Sequence, residues 1–112
     1  MGRVATNNER EDMSEYKPID ECRTVEELLA DPERWTQDTW ARSANGSVAK
    51  WGDKQACKFC MMGAIFRVYG PRYEPAMWRR LHDSLGGSVS QFNDAPERTH
   101  AEVLEAVKRA GI

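Results

Sequence analysis

Apolar residues recur at helical spacing in several separate stretches, and capping signals bracket most of them. Thr24 followed by Glu27 forms a capping box, in which hydroxyl and carboxylate each take one orphan backbone donor. Val25, Leu28 and Leu29 then supply one apolar face. Asp31-Pro32-Glu33 is a second start signal, a cap followed by proline at the first helical position. The pattern therefore predicts a break at Asp31 and a helix restarting toward Trp35, Thr39 and Trp40. Asp53 is placed to cap a helix from Lys54 to Tyr69, whose apolar arc includes Ala56, Cys57, Phe59, Cys60, Ala64 and Phe66. So broad an arc predicts a central helix packed on more than one side, with Gly63 admitting a close backbone. Gly70-Pro71 is its stop signal.

Pro75 opens the next predicted helix, with Met77, Trp78, Leu81 and Leu85 in register and Gly86-Gly87 as its stop. Ser88 to Phe92 suits one helical turn, and Asn93 to Arg98 reads as a polar connector. Thr99 with Glu102 is a capping box for a last helix carrying Val103, Leu104, Val107 and Ala110 and closed by Gly111. Asn45-Gly46, between Trp40–Ala44 and Ser47–Trp51, favours a type I′ turn. A short two-stranded hairpin is expected there, with an irregular loop as the alternative. The expected fold is thus mainly α, a compact bundle of four to five helices with at most that one hairpin. Residues 1–22 are polar, acidic and aperiodic and read as a disordered tail; residues 23–112 read as a single helical domain.

Length and composition agree with one domain: 112 residues, 40% hydrophobic, can bury a core without staples. No apolar run approaches the ~20 residues that span a bilayer, so no membrane partner is expected. The first residues hold no apolar signal-peptide segment. Gly2 and Thr6 have the spacing of a myristoylation signal, against which Arg3 counts. Three cysteines, an odd number, with no secretion signal, point to free thiols in a reducing cytoplasm.

The net charge of −2 conceals an asymmetry. Residues 1–45 carry six basic and eleven acidic groups (−5), residues 46–82 seven and two (+5), and residues 83–112 three and five (−2). The basic stretch interleaves Trp51, Phe59, Phe66, Tyr69, Tyr73 and Trp78, a pattern compatible with nucleic-acid contact. The simpler reading places the aromatics in the core and the cations on solvated faces, and the acidic flanks would oppose phosphate.

A set of short motifs then falls in one order: Trp35-Thr36-Gln37; Gly46 with Val48; Phe59-Cys60-Met61-Met62-Gly63-Ala64-Ile65; Phe92-Asn93-Asp94-Ala95-Pro96-Glu97-Arg98-Thr99; and Glu102-Val103-Leu104. Over roughly residues 24–112 the chain resembles a domain-of-unknown-function family of small bacterial, largely actinobacterial, and phage-borne proteins. That family shows a Cys-x-x-Gly-Ala helix and a Trp-Asn-Asp-x-x-x-Arg-Thr connector; this chain has Phe92 where the family usually has Trp. The resemblance implies a fold and a bacterial or phage setting. It supplies no activity.

Several residues carry chemistry in principle. Cys57 and Cys60 form Cys-x-x-Cys, and with His82 and His100 make a formal Cys₂His₂ zinc set, although the spacings match no common finger. A thioredoxin-like use of the same pair would need the start of a helix in a βαβ unit. Cys60, His82 or His100, and Asn93 have the residue types of a Cys-His-Asn nucleophilic site; the alternative is a buried, inert Cys60 beside Gly63 and Ala64. Asn93, Asp94 and Arg98 read either as a binding loop or as helix caps with an Arg98–Asp94 ion pair. Trp35, Trp40, Trp51 and Trp78 are core residues or interface anchors, and Trp35 and Trp78 join the candidate binding set. No phosphate loop, His-Glu-x-x-His motif or calcium loop is present, so neither cofactor nor metal is expected. Small size, acidic flanks and clustered Trp favour a non-enzymatic protein-interaction module in a bacterial cytoplasm, a phage or mobile-element accessory factor that binds a host or phage protein, with an inhibitor of a host defence system as one form. A Cys-dependent or metal-assisted enzyme is the alternative, and nucleic-acid binding through residues 46–82 the third.

Overall fold

Capping chemistry places most of the helix starts. The computed structural model describes residues 15–112. Helix α1 (Val25–Leu29) begins where the Thr24 hydroxyl accepts the Glu27 N–H at 3.0 Å. The Glu27 carboxylate reaches one residue further back than the box requires, accepting the Arg23 N–H at 2.7 Å and pairing with Lys17 at 2.8 Å. Asp31 caps only a single 3₁₀ turn, Pro32–Arg34.

The helix expected from there to Trp40 does not form. Trp35 is already extended and bridges to Phe59, and the Thr36 N–H donates to the Phe59 carbonyl at 3.0 Å. Pairing across the chain competes with the local helical signal and wins.

Strand β1 (Ala41–Ser43) runs antiparallel to β2 (Ala56–Phe59), with Ala41 opposite Phe59 and Arg42 opposite Lys58. The chain does fold back near Asn45-Gly46 onto β1's other edge, but not through the type I′ turn expected: of the pair only Gly46 has a positive φ, 90°, and its N–H donates to the Ser43 carbonyl at 3.0 Å, which makes Ala44 and Asn45 the central residues. There the Ser43 N–H donates to Ser47 O at 2.8 Å, the Ala49 N–H donates to Ala41 O at 3.0 Å, and Arg42 bridges Val48. The regular ladder partner of β1 is nevertheless β2, from a stretch that read as helix. Asp53 caps no helix: its carboxylate accepts the Lys50 N–H at 3.3 Å within a turn. Ala56 and Phe59 are buried while the residues between them are partly exposed, so this strand is held by tertiary burial, which overrides weak local preference.

Helix α2 (Met61–Leu85) therefore starts at Met61, not Lys54. It kinks at Gly70, whose φ of 80° is left-handed, and resumes at once with Pro71 as its first residue, before the Pro75 expected to open it. Helix α3 (Val89–Asp94) is capped by Ser88 and extends the single turn expected there. Helix α4 (His100–Ala110) has the full Thr99–Glu102 capping box and ends at Gly111. Thr99's backbone N–H, bound to the Glu102 carboxylate, holds that acid below its usual range.

Val25, Leu28 and Leu29 of α1 meet Phe59, Ile65, Leu81, Val103 and Val107 in one core. At its edge the Trp40 carbonyl lies against Gly63 so closely that no Cβ would fit. Residues 15–22, read as part of a disordered tail, carry a 3₁₀ turn at Ile19–Glu21, and Cys22 is buried in the core. Asp20 pairs with Arg67 at 3.1 Å. The rest of that tail, with the Gly2–Thr6 pattern, lies outside the described residues. No helix among the described residues is long and apolar enough to cross a membrane.

Candidate functional site

Asn93 sits at the end of α3 with 1% of its surface exposed, and every polar atom of its amide is used. Its Oδ1 accepts from Trp35 Nε1 at 2.9 Å and from the Met61 N–H at 3.0 Å. Its Nδ2 donates to the Thr36 carbonyl at 3.1 Å and to Asp94 Oδ1 at 2.8 Å. Asn93 thereby caps α2 from a distance and fixes the Trp35–Gln37 segment. Gln37 Nε2 completes the clamp by donating to the carbonyls of Asn93 and Ala95, each at 2.9 Å. Asp94 accepts the N–H of Asp38, a non-glycine residue at φ 70°. That strained conformation is tolerated because its neighbours over-determine it. Beside this network lies a small polar pocket of about 120 Å³ bordered by Asp38, Trp40, Cys60, Met62, Ser90 and Asp94.

Cys60 faces that pocket but is itself the N-cap of α2, its sulfur accepting the Gly63 N–H at 3.3 Å. Burial pushes its thiol up; the Gly63 bond opposes this and the Asp94 charge adds to it. A nucleophilic thiol needs the opposite environment. His100 is engaged elsewhere: Nε2 lies 2.6 Å from the Leu29 carbonyl, so that nitrogen must carry the proton, and its ring rests near Trp35. His82 stacks on Trp78 at 4.8 Å and meets Asp83 at 3.3 Å. Among the described residues neither histidine bonds to Cys60, and no three His, Cys, Asp or Glu side chains converge as metal ligands. Cys57 sits half-buried in β2, not on the helix that would have placed it one turn from Cys60.

Arg98 does not pair with Asp94. Its Nε donates to the Phe92 carbonyl at 2.8 Å, its guanidinium lies 3.7 Å over the Phe92 ring, and it meets Glu102 at 3.5 Å. The structure thus brings Asn93, Asp94, Trp35 and Cys60 into one neighbourhood, as a network that holds the fold, and leaves Arg98 and Trp78 apart from it.

An open surface lies on the other side of Trp40. Trp40, 48% exposed, stacks on Phe66 at 5.1 Å, and Trp51 stacks on the same ring at 5.3 Å. The two indoles border a groove of about 470 Å³ with Ala49, Lys50 and Asp53. Arg67 braces the loop behind it, donating to the carbonyls of Trp51 at 2.8 Å and Asp53 at 3.0 Å. Trp40, Trp51 and Phe66 were absent from the candidate binding set. The signal available was two Trp bracketing a loop of small and turn-forming residues, which have no helix of their own to bury them.

No curated protein and no solved structure matches the chain. One family model does match, over residues 13–111, and the motifs quoted above fall inside that span. The chain therefore belongs to the family of unknown function DUF6197.

Proposed function

We propose that this protein is a non-enzymatic interaction module that binds a protein partner through the Trp40–Trp51 surface. The observation that carries the reading is a pair of indoles, both stacked on Phe66, standing at an open groove. Tryptophan held this way loses little entropy on binding and is enriched among residues that dominate interface energy. The setting suggested by the family resemblance makes a phage or mobile-element factor acting on a host protein in the bacterial cytoplasm, an inhibitor of defence among them, the working form of this proposal.

The test is affinity capture from bacterial lysate with the wild-type chain and Trp40→Ala in parallel. The proposal expects one near-stoichiometric protein, retained in high salt and after nuclease treatment, and lost with Trp40→Ala. Turnover of a substrate that depends on Cys60 would replace this reading with the enzyme. Loss of the captured material on nuclease treatment, with steep salt dependence, would replace it with nucleic-acid binding.

A further inference from the structure

We infer that the outer edge of residues 47–49 accepts an extended, acidic peptide from the partner as an added β-strand. This deepens the interaction-module reading and rests on it. In an antiparallel pair, successive residues point their N–H and C=O groups alternately toward and away from the neighbouring strand. Ser47 O and the Ala49 N–H both point at β1. Val48 between them therefore turns both of its backbone groups outward, and among the described residues neither has a hydrogen-bond partner. Val48 is also 70% exposed, the most open large apolar side chain in the described part of the chain. An unpaired edge of this kind is a template for strand addition, in which main-chain bonds give affinity and neighbouring pockets give specificity.

The neighbouring pocket is the indole groove, since Ala49, the last residue of this edge, and Lys50 directly after it both belong to its lining. Charge selects the occupant. Asp53 already accepts the Lys50 backbone N–H, and Arg67 is engaged by Asp20 and two carbonyls. The Lys50 ammonium at the lining and that of Lys54, next in sequence to the lining residue Asp53, have no ion-pair partner among the described residues, and two cations against the one Asp53 carboxylate leave the net charge there positive. A strand carrying carboxylates complements it and an apolar side chain beside them covers Trp40. A nucleic acid would use the charge and the indoles but would leave the Val48 amide pair without a ladder partner.

The experiment titrates acetyl-Glu-Val-Glu-Val-Glu-Val-Glu-amide into the full chain, followed by Trp fluorescence and by the Val48 amide resonance. Saturable binding that weakens with salt is expected, together with a downfield shift of that amide. N-methylating the central valine of the peptide, which removes one donor while leaving the protein untouched, is expected to weaken binding about tenfold. Lys50→Glu, and Val48→Pro if thermal unfolding shows it folded, are expected to do the same. The proposal is overturned if the lysine analogue of the peptide binds equally well, if oligothymidine competes it off, if N-methylation has no effect, or if no peptide binds. Self-association abolished by Val48→Pro would also overturn it, because the occupant would then be a second copy. A captured protein lost with Trp40→Ala but kept by Lys50→Glu and by Val48→Pro would leave the interaction module standing and remove strand addition alone.

Discussion

The Asn93 network and the Trp40–Trp51 surface lie on two sides of the same short segment and use polar and aromatic groups in opposite ways. Around Asn93, the side chains that look most like a functional motif bond to one another and to backbone: Trp35, Asn93, Asp94 and the Met61 N–H satisfy each other in a buried place. Around Trp40, residues with no motif character leave one indole half exposed and a second beside it, both bordering an open groove. A distinctive sequence pattern can therefore mark what holds a fold together, and the surface available to a partner can be built from an unremarkable loop beside it.

Breaking the network should have the largest effect. Asn93→Ala leaves the Trp35 indole N–H, the Met61 N–H and the Thr36 carbonyl without their partner, and a cost of about 3–5 kcal/mol is expected in urea denaturation. A loss below about 1 kcal/mol would show that water replaces the amide and that the network is less structural than its geometry indicates. Gly63→Ala comes next, since its Cβ would meet the Trp40 carbonyl, a backbone atom that cannot swing away. A destabilisation of about 3 kcal/mol is expected. Because that carbonyl links the two regions, the same variant should also perturb the Trp40 fluorescence.

Trp40→Ala sharpens the contrast from the other side. The ring is half exposed, so its removal should cost about 1 kcal/mol of stability. Partner capture should nevertheless fall at least tenfold, about 1.4 kcal/mol, in the same preparation. Equal loss of folding and of binding would erase the distinction between the regions.

The smallest effect concerns Cys60. Its thiolate is harder to form in the folded chain, where burial raises the thiol, than in the unfolded one. Unfolding thus releases a proton once pH exceeds the unfolded thiol's ~8.5, so stability is level below that pH and declines above it. Cys22, raised mainly by burial as well, adds in the same direction. Cys60→Ser keeps an N-cap oxygen for Gly63 and should flatten part of that alkaline decline in thermal melts. Native-state labelling at pH 7.5 should modify half-buried Cys57 before Cys60; preferential labelling of Cys60 would restore the nucleophile reading.

How far the sequence reaches depends on whether a signal is local. Thr24, Ser88 and Thr99 cap helices because a side-chain oxygen meets an N–H two or three residues ahead, an event that needs no distant partner. Those starts, the mainly α class, the chain reversal near Asn45-Gly46 and the close backbone approach at Gly63 were all legible along the chain. The strand at Ala56–Phe59 was not, because its apolar residues fit a helix equally well and only pairing with β1 decides between them. The non-helical course of Trp35 to Trp40 was hidden for the same reason. So was the role of Asn93, whose partners Trp35 and Thr36 lie 58 and 57 residues away in sequence. Cap, turn and periodicity are written in neighbouring residues; strand partner, buried amide network and the choice of which indole faces water depend on what packs against them, and only the tertiary structure decided those.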